Sequence, residues 1–105
     1  MNIQLKKGLL DASVLSVLNR EESYGYKILK DLGKYIEISE STLYPVLRRL
    51  ETGRYVTVRP VEYGGRLRKI YTITRLGQEQ LSDFLNDWGE VETIYQYIKK
   101  GACFE

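Results

Sequence analysis

The spacing of apolar and polar residues divides this chain into helix-like and strand-like stretches. From Leu5 to Asn19, the positions Leu9, Leu10, Ala12, Leu15, Val17 and Leu18 predict a first helix that is largely buried. Arg20-Glu21-Glu22 breaks the pattern. A second helix is expected from an N-cap at Ser23 to Leu32, with Ile28, Leu29 and Leu32 facing inward. Gly33 suits the left-handed position after its C-terminus. Lys34 to Ile38 reads as a turn, and either Ser39 or Ser41 caps a third helix. With Ser41 as cap, Pro45 is the fourth helical residue and removes one ladder bond. With Ser39 as cap it lies deeper and costs more.

The third helix has two unlike faces. At about 100° per residue, Leu43, Val46, Leu47 and Leu50 fall on one side. Ser41, Pro45 and Arg48 fall opposite, flanked by Thr42 and Arg49. Hydroxyls and guanidiniums on one face suit phosphates and guanine edges. A solvated basic face is the ordinary alternative. Two β-rich runs come next, Tyr55 to Val61 and Lys69 to Ile73, separated by the turn signal Gly64-Gly65. Together they read as a hairpin with Arg66, Arg68 and Lys69 at or just after its tip. A helix of this kind succeeded by a basic hairpin is the order of a winged helix-turn-helix. In that layout the helix enters the major groove and the hairpin tracks the backbone or a minor groove. The bland alternative makes the hairpin a lid on the helical core, its arginines solvated.

Thr74 is the expected N-cap of a fourth helix that keeps a strict heptad. Leu81, Trp88 and Tyr95 share one position, and Phe84, Val91 and Ile98 the other. Such a narrow seam buries against another helix. The first three helices already supply a core, so the expected partner is the same helix, or the first helix, of a second chain. The alternative folds this helix back on its own domain. Phe84, Trp88 and Tyr95 are bulky for a two-stranded seam. Either the interface holds a cavity where Trp88 stacks on flat apolar ligands, or Trp88 simply fills it. Asp87 and Glu90 flank Trp88 and would favour cationic ligands.

Charge sharpens this division. The 105 residues carry a net +2, but Met1 to Arg75 holds 14 Lys/Arg against 8 Asp/Glu, and Leu76 to Glu105 holds 2 against 6. The halves are therefore +6 and −4, a basic part for a polyanion and an acidic part for something else. The acidic tail masks the basic half in the overall pI of 8.6. The chain has no His and one Cys, Cys103. Zinc would have to accept carboxylates alone, and Ser–His or Cys–His chemistry is excluded. No phosphate-cradling loop, membrane-length apolar run or signal-peptide core is present. The chain reads as a single cytoplasmic domain, with no cofactor, no metal, no membrane and no enzymatic role.

Several motifs, in order and spacing, resemble the PadR family of bacterial transcriptional regulators. They are Leu9-Leu10-Asp11, Tyr24-Gly25-Tyr26, Ile38-Ser39-Glu40 with Thr42-Leu43-Tyr44-Pro45, Leu47-Arg48-Arg49-Leu50-Glu51, Gly64-Gly65-Arg66, and Lys69, Tyr71, Thr74 and Gly77. The resemblance runs from about Leu9 to Gly77, and the length suits the short class with one C-terminal helix. It implies a winged-helix homodimer, usually a repressor that leaves its operator when a small molecule binds, in some members a planar aromatic compound at such a Trp. One position departs from the family pattern. Family members usually carry Gly where this chain has Arg54. Left-handed backbone would cost an Arg roughly 1 kcal/mol or more, so the helix is expected to end on Gly53, leaving Arg54 to face a phosphate.

The expected architecture is mainly α with a small β-hairpin. A winged helix-turn-helix domain occupies residues 1–75 and a coiled-coil-like dimerisation helix residues 76–105. The expected function is a sequence-specific, ligand-responsive repressor, a homodimer on a dyad in double-stranded DNA. Ser41, Thr42, Pro45, Arg48 and Arg49 line the groove face, with Arg48 first for a base edge. Tyr44 either reaches a phosphate or packs inward. Tyr24 and Lys27 approach the backbone, and Arg66, Arg68 and Lys69 hold the flank. The alternatives are a protein-contact module or a non-specific nucleic-acid binder.

Overall fold

The computed structural model describes residues 3–102, with side chains from Lys7 to Ala102, so Cys103 lies outside the described residues. The elements are α1 (Ile3–Arg20), β1 (Ser23–Tyr24), α2 (Gly25–Leu32), α3 (Glu40–Thr52), β2 (Val56–Tyr63), β3 (Arg66–Ile73) and α4 (Arg75–Gly101). The strands form an antiparallel sheet in the order β1-β3-β2.

The core forms where the apolar faces of three helices meet the base of that sheet. Val14, Leu15 and Leu18 come from α1, Ile28 and Leu32 from α2, and Leu43, Val46, Leu47 and Leu50 from α3. Val56 and Tyr71 close it from the sheet. Burying the four α3 side chains fixes the rotation of that helix and turns Ser41, Tyr44, Pro45, Arg48 and Arg49 outward, except that Thr42 is half-buried. At roughly 1.5–3 kcal/mol for each large aliphatic side chain, this burial far outweighs any surface contact of the same helix.

Several local expectations need correction. Ser23 does not cap α2. It is a β1 residue paired with Tyr71 and 3% exposed, and Tyr24 takes the cap position in extended conformation. Pairing with β3 satisfies more backbone than a cap bond would, so the tertiary contact overrides the local signal. Gly33 is right-handed, at φ −60°, and its N–H donates to the Leu29 carbonyl at 2.9 Å. Of the two caps expected for α3, Ser39 is the one observed, which makes Pro45 the sixth helical residue. Its missing N–H leaves the Ser41 carbonyl without a ladder partner, on the outward face where water can serve it.

The expected end of α3 is also corrected. Gly53 is right-handed (φ −78°), and Arg54 takes the left-handed conformation at φ +63°. Two hydrogen bonds account for it. The Arg54 N–H donates to the Glu51 carbonyl at 3.0 Å and the Tyr55 N–H to that of Leu50 at 2.9 Å, which closes the helix and drops the chain into β2. A Cβ at Gly53 would stand 2.5 Å from the Tyr55 ring, so this glycine makes room for an aromatic neighbour.

The hairpin matches its sequence signals. Gly64 and Gly65 both have positive φ (+56° and +81°), the two-residue turn whose twist suits antiparallel strands. Thr74 caps α4, accepting from the Gly77 N–H at 3.1 Å, while its hydroxyl lies 2.8 and 3.0 Å from the Arg54 and Tyr55 carbonyls. The first half of α4 lies on α1 of the same chain, with Leu81 against the core and Phe84 beside Gly8. The second half projects, giving overall dimensions of 63 × 26 × 22 Å.

Replacing Arg54 by Gly removes a left-handed side chain at an exposed site. Arg54→Gly is expected to raise the unfolding free energy by about 1 kcal/mol, read as a higher urea midpoint. An unchanged or lower midpoint would show that the conformation carries no cost.

Candidate nucleic-acid interface

Burial of its leucines leaves α3 with an outward stripe of Ser41, Tyr44, Pro45, Arg48, Arg49 and Thr52. The N-terminal hydroxyls cluster: Ser39 Oγ lies 2.9 Å from Ser41 Oγ and 3.2 Å from Thr42 Oγ1. The two arginines differ. Arg49 forms an ion pair with Asp11 of α1, its Nε also donating to Asp11 Oδ2 at 3.4 Å. Among the described residues no carboxylate pairs with Arg48, which stays exposed in the middle of the stripe.

Tyr44 neither enters the core nor points straight out. It lies across the start of α2, so close that a Cβ on Gly25 would meet its hydroxyl oxygen at 2.8 Å. Behind it a cleft of about 360 Å³ separates α2 from the wing, lined by Tyr24, Tyr26, Tyr44, Lys69 and Tyr71 among others. Burial, then the nearby Glu51 charge, push the Tyr71 hydroxyl above its ordinary pKa, so this floor stays neutral.

The three wing cations all border this cleft, but they leave β3 on different faces. Residues directly opposite across an antiparallel pair share a face, and successive residues alternate. Lys69 pairs with Pro60 and shares its face with Tyr71, toward the helices. Arg66 pairs with Tyr63 and Arg68 with Val61, on the other face. There the Arg68 guanidinium lies over the rings of Tyr24 (4.4 Å) and Tyr63 (4.6 Å). Lys27, expected at the backbone, is held by Glu21 at 2.6 Å, which raises its pKa.

Tyr63, the pair Glu22–Arg59 and the pairing of Asp11 with Arg49 escaped the sequence reading. Strand alternation around Gly64-Gly65 could have placed Tyr63 on the Arg66 face. Asp11 was visible as the one acid within the apolar run of α1. The partnership of Glu22 and Arg59 joins residues 37 apart and left no local signal.

A cleft of about 580 Å³ lies between α1, the end of α2 and α4, lined by Leu9, Val17, Tyr35, Leu81, Phe84 and Leu85 among others. Phe84 also stacks on Trp88, centroids 5.8 Å apart and planes within 13°. Beyond Trp88 the seam is bare: Val91, Tyr95 and Ile98 are 48–59% exposed. Among the described residues no helix is long and apolar enough to cross a membrane, and no three His, Cys, Asp or Glu gather as metal ligands.

Arg59 reaches from β2 to Glu22, just before β1, at 2.5 Å, and Thr72 Oγ1 donates to the same carboxylate at 3.5 Å. The Arg59 hydrogen bond lowers the Glu22 pKa below its ordinary 4.5. A depressed carboxylate favours the folded wing above its unfolded pKa, and that contribution disappears as pH falls through the folded value. Carbon-detected titration of the Glu22 carboxyl should give a midpoint below 4.5 that returns to the ordinary range in Arg59→Gln. An ordinary midpoint in the wild-type protein would mean that the pair does not persist in solution.

The sequence matches the family described as "Transcriptional regulator PadR-like family" over residues 14–83. The negative transcriptional regulator PadR of Bacillus subtilis is 32% identical over 82 residues, 73% of this chain and 45% of that protein. A PadR-like transcriptional regulator from Bacillus cereus superposes with a TM-score of 0.79 at 34% identity, over 90% of this chain and 95% of the other. The Bacillus subtilis PadR in complex with operator DNA gives a TM-score of 0.68 at 30% identity, over 72% of this chain and 46% of that one. This chain thus spans about half of the Bacillus subtilis protein and nearly all of the Bacillus cereus one. With the match running from the middle of α1 into α4, across α3 and the wing, the chain belongs to the PadR-like family of transcriptional regulators.

Proposed function

We propose that this regulator binds operator DNA in the cytoplasm as a homodimer, represses transcription, and releases its site when a small planar aromatic compound occupies the dimer interface. The observation that carries the DNA reading is Arg48, exposed and without a carboxylate partner among the described residues, on a helix whose rotation the core fixes. A guanidinium so placed suits the O6/N7 edge of guanine. The related PadR bound to its operator, and its description as a negative regulator, support both DNA binding and repression.

Ser41, Thr42 and Pro45 flank Arg48 toward the groove. Arg49 contributes while anchored on Asp11, which holds the helix against α1. Tyr24, Lys27 and Tyr44 stand near the start of α2, where backbone phosphates would pass, and Arg66, Arg68 and Lys69 hold the flank from the wing. Residues 1–75 form the DNA-binding part and 76–105 the dimerising part. Val91, Tyr95 and Ile98, bare in one chain, meet a second copy. Leu81, Phe84 and Trp88 continue the seam toward the body, and the Phe84–Trp88 stack offers aromatic planes to the effector.

Selection from a random duplex library should enrich a dyad with half-sites about ten base pairs apart. No enrichment by a well-behaved dimer would overturn the operator reading. Arg48→Ala should weaken operator binding by about 1–3 kcal/mol and relax sequence preference, while Lys69→Ala weakens all duplexes alike and lowers the salt slope by about one. Operator binding by Arg48→Ala as tight as wild type would remove Arg48 from the reading. Ile98→Asp should shift the protein from dimer to monomer in sedimentation. Trp88 fluorescence should respond to planar aromatic cations or phenols, and a flat response to all of them would sink the effector reading.

A further inference from the structure

Tyr63 has no role in the operator reading above, yet it occupies a specific place. It closes β2 at the wing tip, 65% exposed, with its ring 4.6 Å from Arg68 Cζ. Tyr24 lies at 4.4 Å from the same atom. Strand pairing explains the arrangement: Tyr63 is opposite Arg66 and Tyr24 opposite Ile70, so both are diagonal neighbours of Arg68 on one face. One ring sits on the tip side of the guanidinium and the other on the α2 side. Of the other two cations on that face, Arg59 is occupied by Glu22 and Arg66 lies directly opposite Tyr63 at the tip.

We propose that Tyr63, with Tyr24, is a positioning residue that fixes Arg68 to receive a phosphate of the DNA flanking the operator half-site. An exposed arginine samples many rotamers and must give up that freedom on binding. Stacking on aromatic faces takes up the π surface of the group and leaves its N–H edge for a pair of oxygens. Among the described residues no carboxylate competes for that edge. Because Tyr24 is the cap residue of α2, the stack also ties the wing to the helical body, so the phosphate contact is made at a fixed distance from α3. This role for Tyr63 rests on the operator reading.

The test is a double-mutant cycle with the selected duplex, read by anisotropy across a salt series. Tyr63→Leu keeps apolar bulk without the π face and should weaken binding roughly two- to fivefold. Tyr63→Phe keeps the face and should bind as wild type. Arg68→Ala should weaken binding and lower the salt slope by about one, and in that background Tyr63→Leu should have no further effect. Upfield ring-current shifts of the Arg68 side-chain protons in the free protein should shrink in Tyr63→Leu to the part that Tyr24 supplies. Equal losses from Tyr63→Leu in both backgrounds, or no loss in either, would overturn the inference and leave the operator reading standing. A wild-type protein that binds no duplex would remove both. Tyr63 lies outside the core, so unchanged thermal melts are expected for each variant.

Discussion

The backbone of Tyr55 and the bare Cα of Gly77 occupy space that admits nothing else. A Cβ at position 77 would lie 2.2 Å from the Tyr55 carbonyl oxygen and 2.8 Å from Ile73 Cγ1. That carbonyl also receives the Thr74 N–H at 3.0 Å, and the Thr74 hydroxyl stands over it. Three elements meet at this point: the exit of α3, the base of the wing and the first turn of α4. None can move without the others, because close-packed interiors do not deform gradually. The left-handed Arg54 belongs to the same junction, since it turns the chain into position for Tyr55.

Electrostatics then divides the cations by task. Arg49 is neutralised against α1 and holds α3 in place, so its neighbour Arg48 remains available outward. Arg59 is neutralised against Glu22 and holds the base of the wing, while Arg68 is positioned without neutralisation, by rings. Exposed ion pairs contribute little stability, typically ~0–1 kcal/mol, so their value here lies in geometry. A count of positive charges alone would have treated all four as equal.

Periodic features were the legible ones. The apolar faces of α1 to α3, the Gly64-Gly65 hairpin and the Thr74 cap all come from spacing, and the structure has each of them. The misreadings came where a partner outside the helix decides the local conformation. Ser23 looks like a cap until β3 offers it a strand, and Gly53 looks like a left-handed glycine until the Tyr55 ring needs the space. Within the candidate site, α3 side chains were placed by helical geometry alone. The wing was harder: its cations adjoin in sequence, and only the strand register separates Lys69 from Arg66 and Arg68. The heptad of α4 was visible as a pattern, but not that its first half rests on α1 of its own chain.

A helix of 27 residues is about 40 Å long, and α4 is held over its first half only. Such a rod is a lever with a short arm and a long one. A tilt of about 5° about the Phe84 contact would carry the far end through roughly 2 Å at 1.5 Å per residue, while Gly77 shifts by about half as much. The same gearing runs backwards: a displacement of several ångströms far from α3 reaches it as a small, stiff rotation.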